Sequence, residues 1–381
     1  MKVAACHLCG QDALIEVEAF RRFRRITSDF RPWPSDGRLA VCSACGAAQK
    51  MATEAWRQDC HAIYASYDVY PQGDGSEQVV FASSGAGEAR SRVILRRLID
   101  EHRLPETGWH LDFGCGDGSL LRNAAAVLPG WWRAGAEINE SRRPEIEAID
   151  GVREFYAGNI AAIPTRFDLV TTVHVLEHFE QPATIAAMLA GKLAAGGLLM
   201  IQTPDLLNNP FDLLIADHAT HFTPAVMRQC LAKAGLAPLA LTADWTPREL
   251  SVVARRAEVG ATEAGADSAM TLALVESHLD WLDRLVETAR QAASTQPIGL
   301  FGTSIAASWL FGEVSAETAF FVDEDDARVG STYHGRSVFH PTQVPPGSRV
   351  LIAHTPVFAE TVIERLLAYG HFDVVMPPPF D

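Results

Sequence analysis

Several groups of residues in this chain have types and spacings suited to chemistry. Cys6-His7-Leu8-Cys9-Gly10 and Cys42-Ser43-Ala44-Cys45-Gly46 are two Cys-x-x-Cys-Gly turns. Each sets two thiolates on one tight bend, and two such bends supply the four soft ligands of a closed tetrahedral zinc site. With every position filled by protein, the metal is structural and helps to fold a segment too short to fold alone. Redox cysteines are the other reading, but a thioredoxin-like pair is a single Cys-x-x-Cys inside a βαβ pattern. Cys60, Cys115 and Cys230 fall outside the spacing and read as buried small hydrophobes.

A second group is His110-Leu111-Asp112-Phe113-Gly114-Cys115-Gly116-Asp117-Gly118, an apolar run ending in an acid and then three alternating glycines. Glycine lets backbone approach a ligand closely and tolerates the positive φ of such a bend. The dinucleotide fingerprint is instead Gly-x-Gly-x-x-Gly and faces a pyrophosphate. Asp112 and Asp117 repel a diphosphate, so a nucleotide-like cofactor carrying positive charge suits this bend better. Glu137 follows the apolar run Trp131 to Ala136, about twenty residues beyond the last glycine, where an acid accepts both ribose hydroxyls. Two further groups hold histidines: His174-Val175-Leu176-Glu177-His178-Phe179, and Asp217-His218 within Ile215 to Pro224.

The elements that position these groups alternate in type. A helix is expected from Gly85 to about Leu104, with Ile94, Leu95, Leu98 and Ile99 at helical spacing. Strands end at Asp112 and Ala136, Phe167 to Val173 forms another, and a helix from Gln181 to Leu193 precedes a strand leading to Pro204. Alternation of this kind builds a mostly parallel sheet covered on both faces, with ligands at the carboxyl ends of its strands. Beyond a helical stretch from Ala261 to Ala293, a second α/β unit begins at Ile298. Its bend Gly302-Thr303-Ser304 lacks the full glycine set but could hold a phosphate at a helix N-terminus. The expected division is residues 1–80, 81–258 and 259–381.

Composition excludes several functions. A net charge of -15 in 381 residues argues against non-specific binding to nucleic acid or anionic membrane, both of which need a basic surface. No signal-peptide core opens the chain and no run reaches the ~18 apolar residues of a membrane span, so a cytoplasmic protein is expected. Phe20-Arg21-Arg22-Phe23-Arg24-Arg25 is a local basic island, read either as a solvated face or as a surface for a phosphorylated substrate. Tyr64, Tyr67 and Tyr70 run into the turn formers Pro71 to Gly75, which suits a loop over a pocket or a packing seam.

At Asp112 to Gly118 the chain resembles the class I S-adenosylmethionine (SAM) methyltransferases. The resemblance implies an α/β fold with a SAM-methyltransferase (Rossmann-like) sheet, here joined to an N-terminal zinc-binding module and a C-terminal Rossmann-like α/β domain. It places Asn159 at the adenine, and His174 in the space between sulfonium and acceptor. The order of zinc knuckles, SAM core, acid-His segment and second α/β unit resembles the C-methyltransferases of nucleotide-linked keto-deoxysugars. That likeness implies a small-molecule nucleotide-sugar substrate, His218 as the base with Asp217 beside it, and Tyr70 and His178 near the sugar carbonyl or enolate. Histidine titrates where a base must. It also implies a C-terminal domain that helps to enclose the nucleotide-sugar; a purely structural domain is the other reading.

The chain departs from that family at three places. It has Asp217-His218 for the usual Glu-His, His221 for a tyrosine, and His174 and Glu177 where an Asn and a Cys are usual. The last change resembles O-methyltransferases and leaves oxygen or nitrogen open as the acceptor. A helix cap near Thr223 is the other reading of His218, and a binding protein with a SAM fold is the non-enzymatic one.

Overall fold

The computed structural model describes residues 5–67, 77, 79–81, 87–138, 140–158, 160, 163–258 and 265–380. Tyr70 and Asn159 lie outside them. Apolar runs at the expected places form a seven-stranded sheet in the order Val152–Ala157, Trp131–Glu137, Gly108–Phe113, Phe167–Val173, Leu193–Pro204, Glu249–Arg256, Leu236–Thr242. The first five are parallel, and Glu249–Arg256 runs antiparallel to both of its neighbours. The reversal has a plain cause, because the link between the last two strands is too short for a crossover. Helices Arg90–Glu101, Ser119–Val127, Pro182–Ala190 and Pro224–Lys233 pack with this sheet. The first of them starts later than expected because Gly87–Ala89 pairs with Val79–Phe81 as a strand.

Chain order reverses between Gly108–Phe113 and Phe167–Val173, which makes the crevice above their carboxyl ends the natural ligand site. A second sheet repeats the plan in the order Thr332–Tyr333, Arg336–Phe339, Thr318–Val322, Ile298–Phe301, Arg349–Ile352, Asp373–Val375. Only the terminal Thr332–Tyr333 hairpin is antiparallel. Its own reversal lies between Ile298–Phe301 and Arg349–Ile352.

The N-terminal sheet is built from Leu14–Glu16, Leu39–Cys42, Ala48–Lys50 and, as fourth strand, Thr220–His221. Thr220 pairs with Gln49 and His221 with Ala48. The cysteine module is therefore stitched to the segment that carries Asp217 and His218. One apolar cluster ties it further, joining Phe20, Ile26 and Val41 to Leu213 and Leu214, to Trp281 and Leu282 of the long helix Ser268–Ala292, and to Leu300 of the second sheet. Fully burying each such side chain contributes about 2 kcal/mol. The basic island is paired off: Arg21 with Glu16, Arg22 with Asp283, Arg25 with Asp59, while Phe20 and Phe23 are buried. Arg25 is buried in its pair, while Arg21 and Arg22 stay partly exposed in theirs. Among the described residues no helix is long and apolar enough to cross a membrane.

Candidate active site

The glycine bend sits at the end of Gly108–Phe113 and opens onto the helix Ser119–Val127. Gly114 and Gly118 have φ of 76° and 82°, and a Cβ on Gly114 would lie 2.3 Å from Val175 Cγ2. Only glycine fits there. Asp112 is buried and its Oδ1 accepts the Thr171 hydroxyl at 2.7 Å. Burial outweighs that bond and pushes the carboxyl up to about 7, so this acid gains most from a cationic neighbour. Glu137 Oε2 accepts the Gly116 N–H at 3.0 Å, which fixes the acid beside the bend. Asp117 takes another part. It accepts the Ser119 N–H at 3.0 Å and hydroxyl at 2.8 Å and pairs with Arg122 at 2.8 Å. Its charge is used within the helix start, and the acids left at the bend are Asp112 and Glu137.

His174 follows the strand Phe167–Val173 at φ 54°, an uncommon conformation for a non-glycine residue. Its Nε2 contacts the Arg90 guanidinium and lies 3.4 Å from Glu249, and its Nδ1 lies 3.3 Å from Glu177 Oε1.

The structure reassigns the acids of the His218 segment. Asp217 is hydrogen-bonded to Ser28, whose N–H and hydroxyl donate at 2.9 and 2.5 Å, and it faces His178 Nδ1 at 3.4 Å. The acid that holds His218 is Asp212, with Oδ1 2.6 Å from His218 Nδ1. Asp212 Oδ2 lies 2.7 Å from His221 Nδ1, and Lys50 Nζ reaches both His221 Nε2 at 3.0 Å and the Leu213 carbonyl at 2.6 Å. The carboxylate accepts from both rings, so each carries a proton on Nδ1; His221 Nε2 accepts from Lys50, and Nε2 is the His218 nitrogen that Asp212 leaves open. His218 is 3% exposed. The helix beginning at Pro224 is capped by Thr223, whose Oγ1 accepts the Val226 N–H, so the capping reading of His218 fails.

His178 stands 4.7 Å from His218, ring edge to face. Its Nδ1 lies 2.9 Å from the Tyr64 hydroxyl and 3.1 Å from the Asp217 carbonyl. Burial opposes a charge on this ring, but the Asp217 carboxylate overcomes it and raises His178 to about 9. The two rings are therefore held differently: His178 is kept charged by Asp217, and His218 is held through Nδ1 by Asp212. Among the described tyrosines it is Tyr64 that meets this pair.

The four cysteines converge as expected. Cys6 and Cys45 sulfurs are 3.5 Å apart, Cys9 and Cys42 sulfurs 3.6 Å apart, and all four lie within 4.8 Å of one another. A zinc tetrahedron with bonds of about 2.3 Å separates its sulfurs by about 3.8 Å, so the donor set and its spacing fit that metal. In the second sheet, by contrast, the expected phosphate bend is closed on itself. Asp323 accepts the Thr303 N–H at 3.0 Å and hydroxyl at 2.7 Å, and Ser304 Oγ accepts the Ala307 N–H. The Thr303 donors are spent inside the chain.

Sequence reasoning missed Asp212 and Lys50, and singled out Tyr64 only as part of the tyrosine-rich stretch. The one available signal was Asp212 itself, an acid inside the apolar run Pro210-Phe211-Asp212-Leu213-Leu214.

Residues 87–241 match a family described as a methyltransferase domain. The mitochondrial ubiquinone biosynthesis O-methyltransferase of Schizosaccharomyces pombe (strain 972 / ATCC 24843) is 29% identical over 123 residues, which are 30% of this chain and 45% of that one. Solved structures that resemble it include mitomycin 7-O-methyltransferase, at 19% identity and a TM-score of 0.39 over 44% of this chain and 53% of that chain. Human N-acetylserotonin methyltransferase in complex with SAM matches at 17% identity and a TM-score of 0.37, over 42% and 51%. The chain thus spans about half the length of these proteins. From the family match, together with the acid-tipped glycine bend at the reversal point of the sheet, residues 87–241 carry a class I SAM-dependent methyltransferase domain.

Proposed function

We propose that the whole chain is a SAM-dependent C-methyltransferase of a nucleotide-linked keto sugar. The observation that supports this most is the pairing of His218, whose Nδ1 is held by Asp212 at 2.6 Å, with His178, raised to about 9 at a ring distance of 4.7 Å. A carbon next to a ketone becomes nucleophilic only when a base removes its proton and a positive group holds the resulting oxyanion. His218 Nε2 takes that proton, and Asp212 steadies the imidazolium that forms. His178 donates to the enolate oxygen while Asp217 keeps it charged. Asp112, Glu137 and His174 with the glycine bend hold the cofactor side, and Asn159 is assigned to the adenine. When bound, SAM supplies an electrophilic methyl group that is transferred in line to carbon, a step that depends on positioning.

The four cysteines are assigned a structural zinc, which holds the sheet on which Lys50 and His221 meet. A second reading keeps the class and moves the methyl to oxygen; the ubiquinone O-methyltransferase relative favours it. Incubation with SAM and a panel of nucleotide-linked keto sugars separates the two. Product NMR showing a methyl on carbon supports the first reading, and a methyl on oxygen removes it.

A further inference from the structure

Between the two sheets lies a cleft of about 720 Å³ to which the steps above assign no residue role beyond the Arg90 and Glu249 contacts of His174. It opens at the carboxyl ends of the second sheet, beside Phe301 and His354, where the strand order reverses. Crevices at such reversals are where α/β sheets bind ligands. The bend at Gly302 to Ser304 serves poorly, since the Thr303 N–H and hydroxyl are taken by Asp323, whose carboxylate repels an anion. Arg248 serves better.

Arg248 precedes the strand Glu249–Arg256 and has φ 65°, a strained conformation for a long side chain. Its carbonyl accepts the Asp205 N–H at 2.9 Å, which fixes the turn. The guanidinium lies 5.6 Å from the centre of the Phe358 ring. Among the described residues it has no hydrogen-bond acceptor, and its Nε is buried and unpaired. Other charged groups of the cleft are engaged: Arg365 with Glu324 at 2.8 Å, Arg328 with Asp325 at 3.3 Å, and Glu249 facing His174 at 3.4 Å. Two neutral rings complete the wall. His278 is 3% exposed with an unpaired Nδ1, and His354 Nδ1 accepts the Thr355 N–H at 3.2 Å, which leaves its proton on Nε2.

We propose that this cleft is an oxyanion subsite in which the Arg248 guanidinium, over the ring of Phe358, forks onto a phosphate ester or carboxylate. The planar fork matches two oxygens at once. Two molecules could bring the oxyanion: a phosphorylated acceptor, or the cofactor through its methionine carboxylate. The first is the assignment, and it deepens the acceptor reading given above.

Calorimetry on the full chain tests this without turnover, with inorganic pyrophosphate as one probe and S-adenosylhomocysteine as the other. Saturable pyrophosphate binding is expected, weakened at least about tenfold by Arg248→Gln, with S-adenosylhomocysteine affinity unchanged within about twofold. Arg248→Lys keeps the charge and loses the fork, and an intermediate loss is expected; this variant carries the test if the glutamine protein does not fold. The proposal is overturned if the wild-type chain does not bind pyrophosphate, if either variant binds it as tightly as wild type, or if the loss falls on S-adenosylhomocysteine instead. Pyrophosphate binding in a chain that methylates no keto sugar keeps the subsite and removes only the acceptor reading.

Discussion

The two halves of the proposed active site are built in opposite ways. The cofactor half is local: Asp112 and the glycine bend are contiguous, and Glu137 ends the adjacent strand. The acceptor half is assembled from afar. Ser28, Lys50 and Tyr64 come from the N-terminal region, His178 from the end of the fourth parallel strand, and Asp212 to His221 from the segment after the fifth. A local motif serves one cofactor and needs little support. A site made of remote pieces can be changed to suit an acceptor, but it depends on whatever holds the pieces together. Here that is the cysteine module, through the pairing of Ala48–Lys50 with Thr220–His221.

The largest effect should come from breaking that support. Cys42→Ser, or removal of metal by a chelator, is expected to abolish turnover, because structural zinc contributes about 10 kcal/mol to folding in small modules. Binding of S-adenosylhomocysteine by calorimetry should persist within a few fold. Metal-free protein with normal turnover would mean that the module supports nothing.

His218→Ala strikes within the acceptor half. A loss of about 10²–10⁴ in kcat is expected, with cofactor affinity unchanged; survival of turnover removes His218 as the base. Gly114→Ala is the converse. Its Cβ would meet Val175 Cγ2 at 2.3 Å, and overpacking of this kind costs about 1–3 kcal/mol. Cofactor binding should weaken, while the pH-dependence of the His178 ring, read by NMR, stays as in the wild type.

The smallest effect is on stability against pH. His178 is raised to about 9 from 6.5, burial opposing and Asp217 prevailing, so the fold keeps a proton that the unfolded chain loses. That contribution is complete below about pH 6.5 and vanishes as pH rises through 9. Lys50 acts in reverse. Burial lowers it from 10.5 to about 7, so its unfavourable contribution fades between pH 7 and 10.5. The two slopes oppose each other between pH 7 and 9. Lys50→Met leaves the His178 slope alone, and its stability should fall across that window by up to about 1.4 kcal/mol per pH unit relative to wild type. Thermal melts of the two proteins with parallel pH profiles would contradict the coupling.

The same contrast explains what the sequence revealed. The glycine bend and Glu137 were legible because spacing along one chain sets the geometry, and the cysteine turns because each pair closes its own bend. The partnering of the acceptor residues was not. Asp217 adjoins His218 in sequence, yet the turn sends its carboxylate to Ser28 and His178, while Asp212 reaches His218. Lys50 joins them only because a two-residue strand from beyond the main sheet pairs beside it. The second α/β unit was legible as strands and a bend, but not as a closed bend, since Asp323 reaches Thr303 from the neighbouring strand.

Proton removal from carbon can be observed without methyl transfer. With S-adenosylhomocysteine and a nucleotide-linked keto sugar in deuterated water, NMR should show deuterium entering the carbon next to the ketone. The exchange should be lost in His218→Ala. No exchange by the wild-type chain on a sugar that it methylates, with the methyl found on oxygen, would contradict carbon methylation by a His218 base.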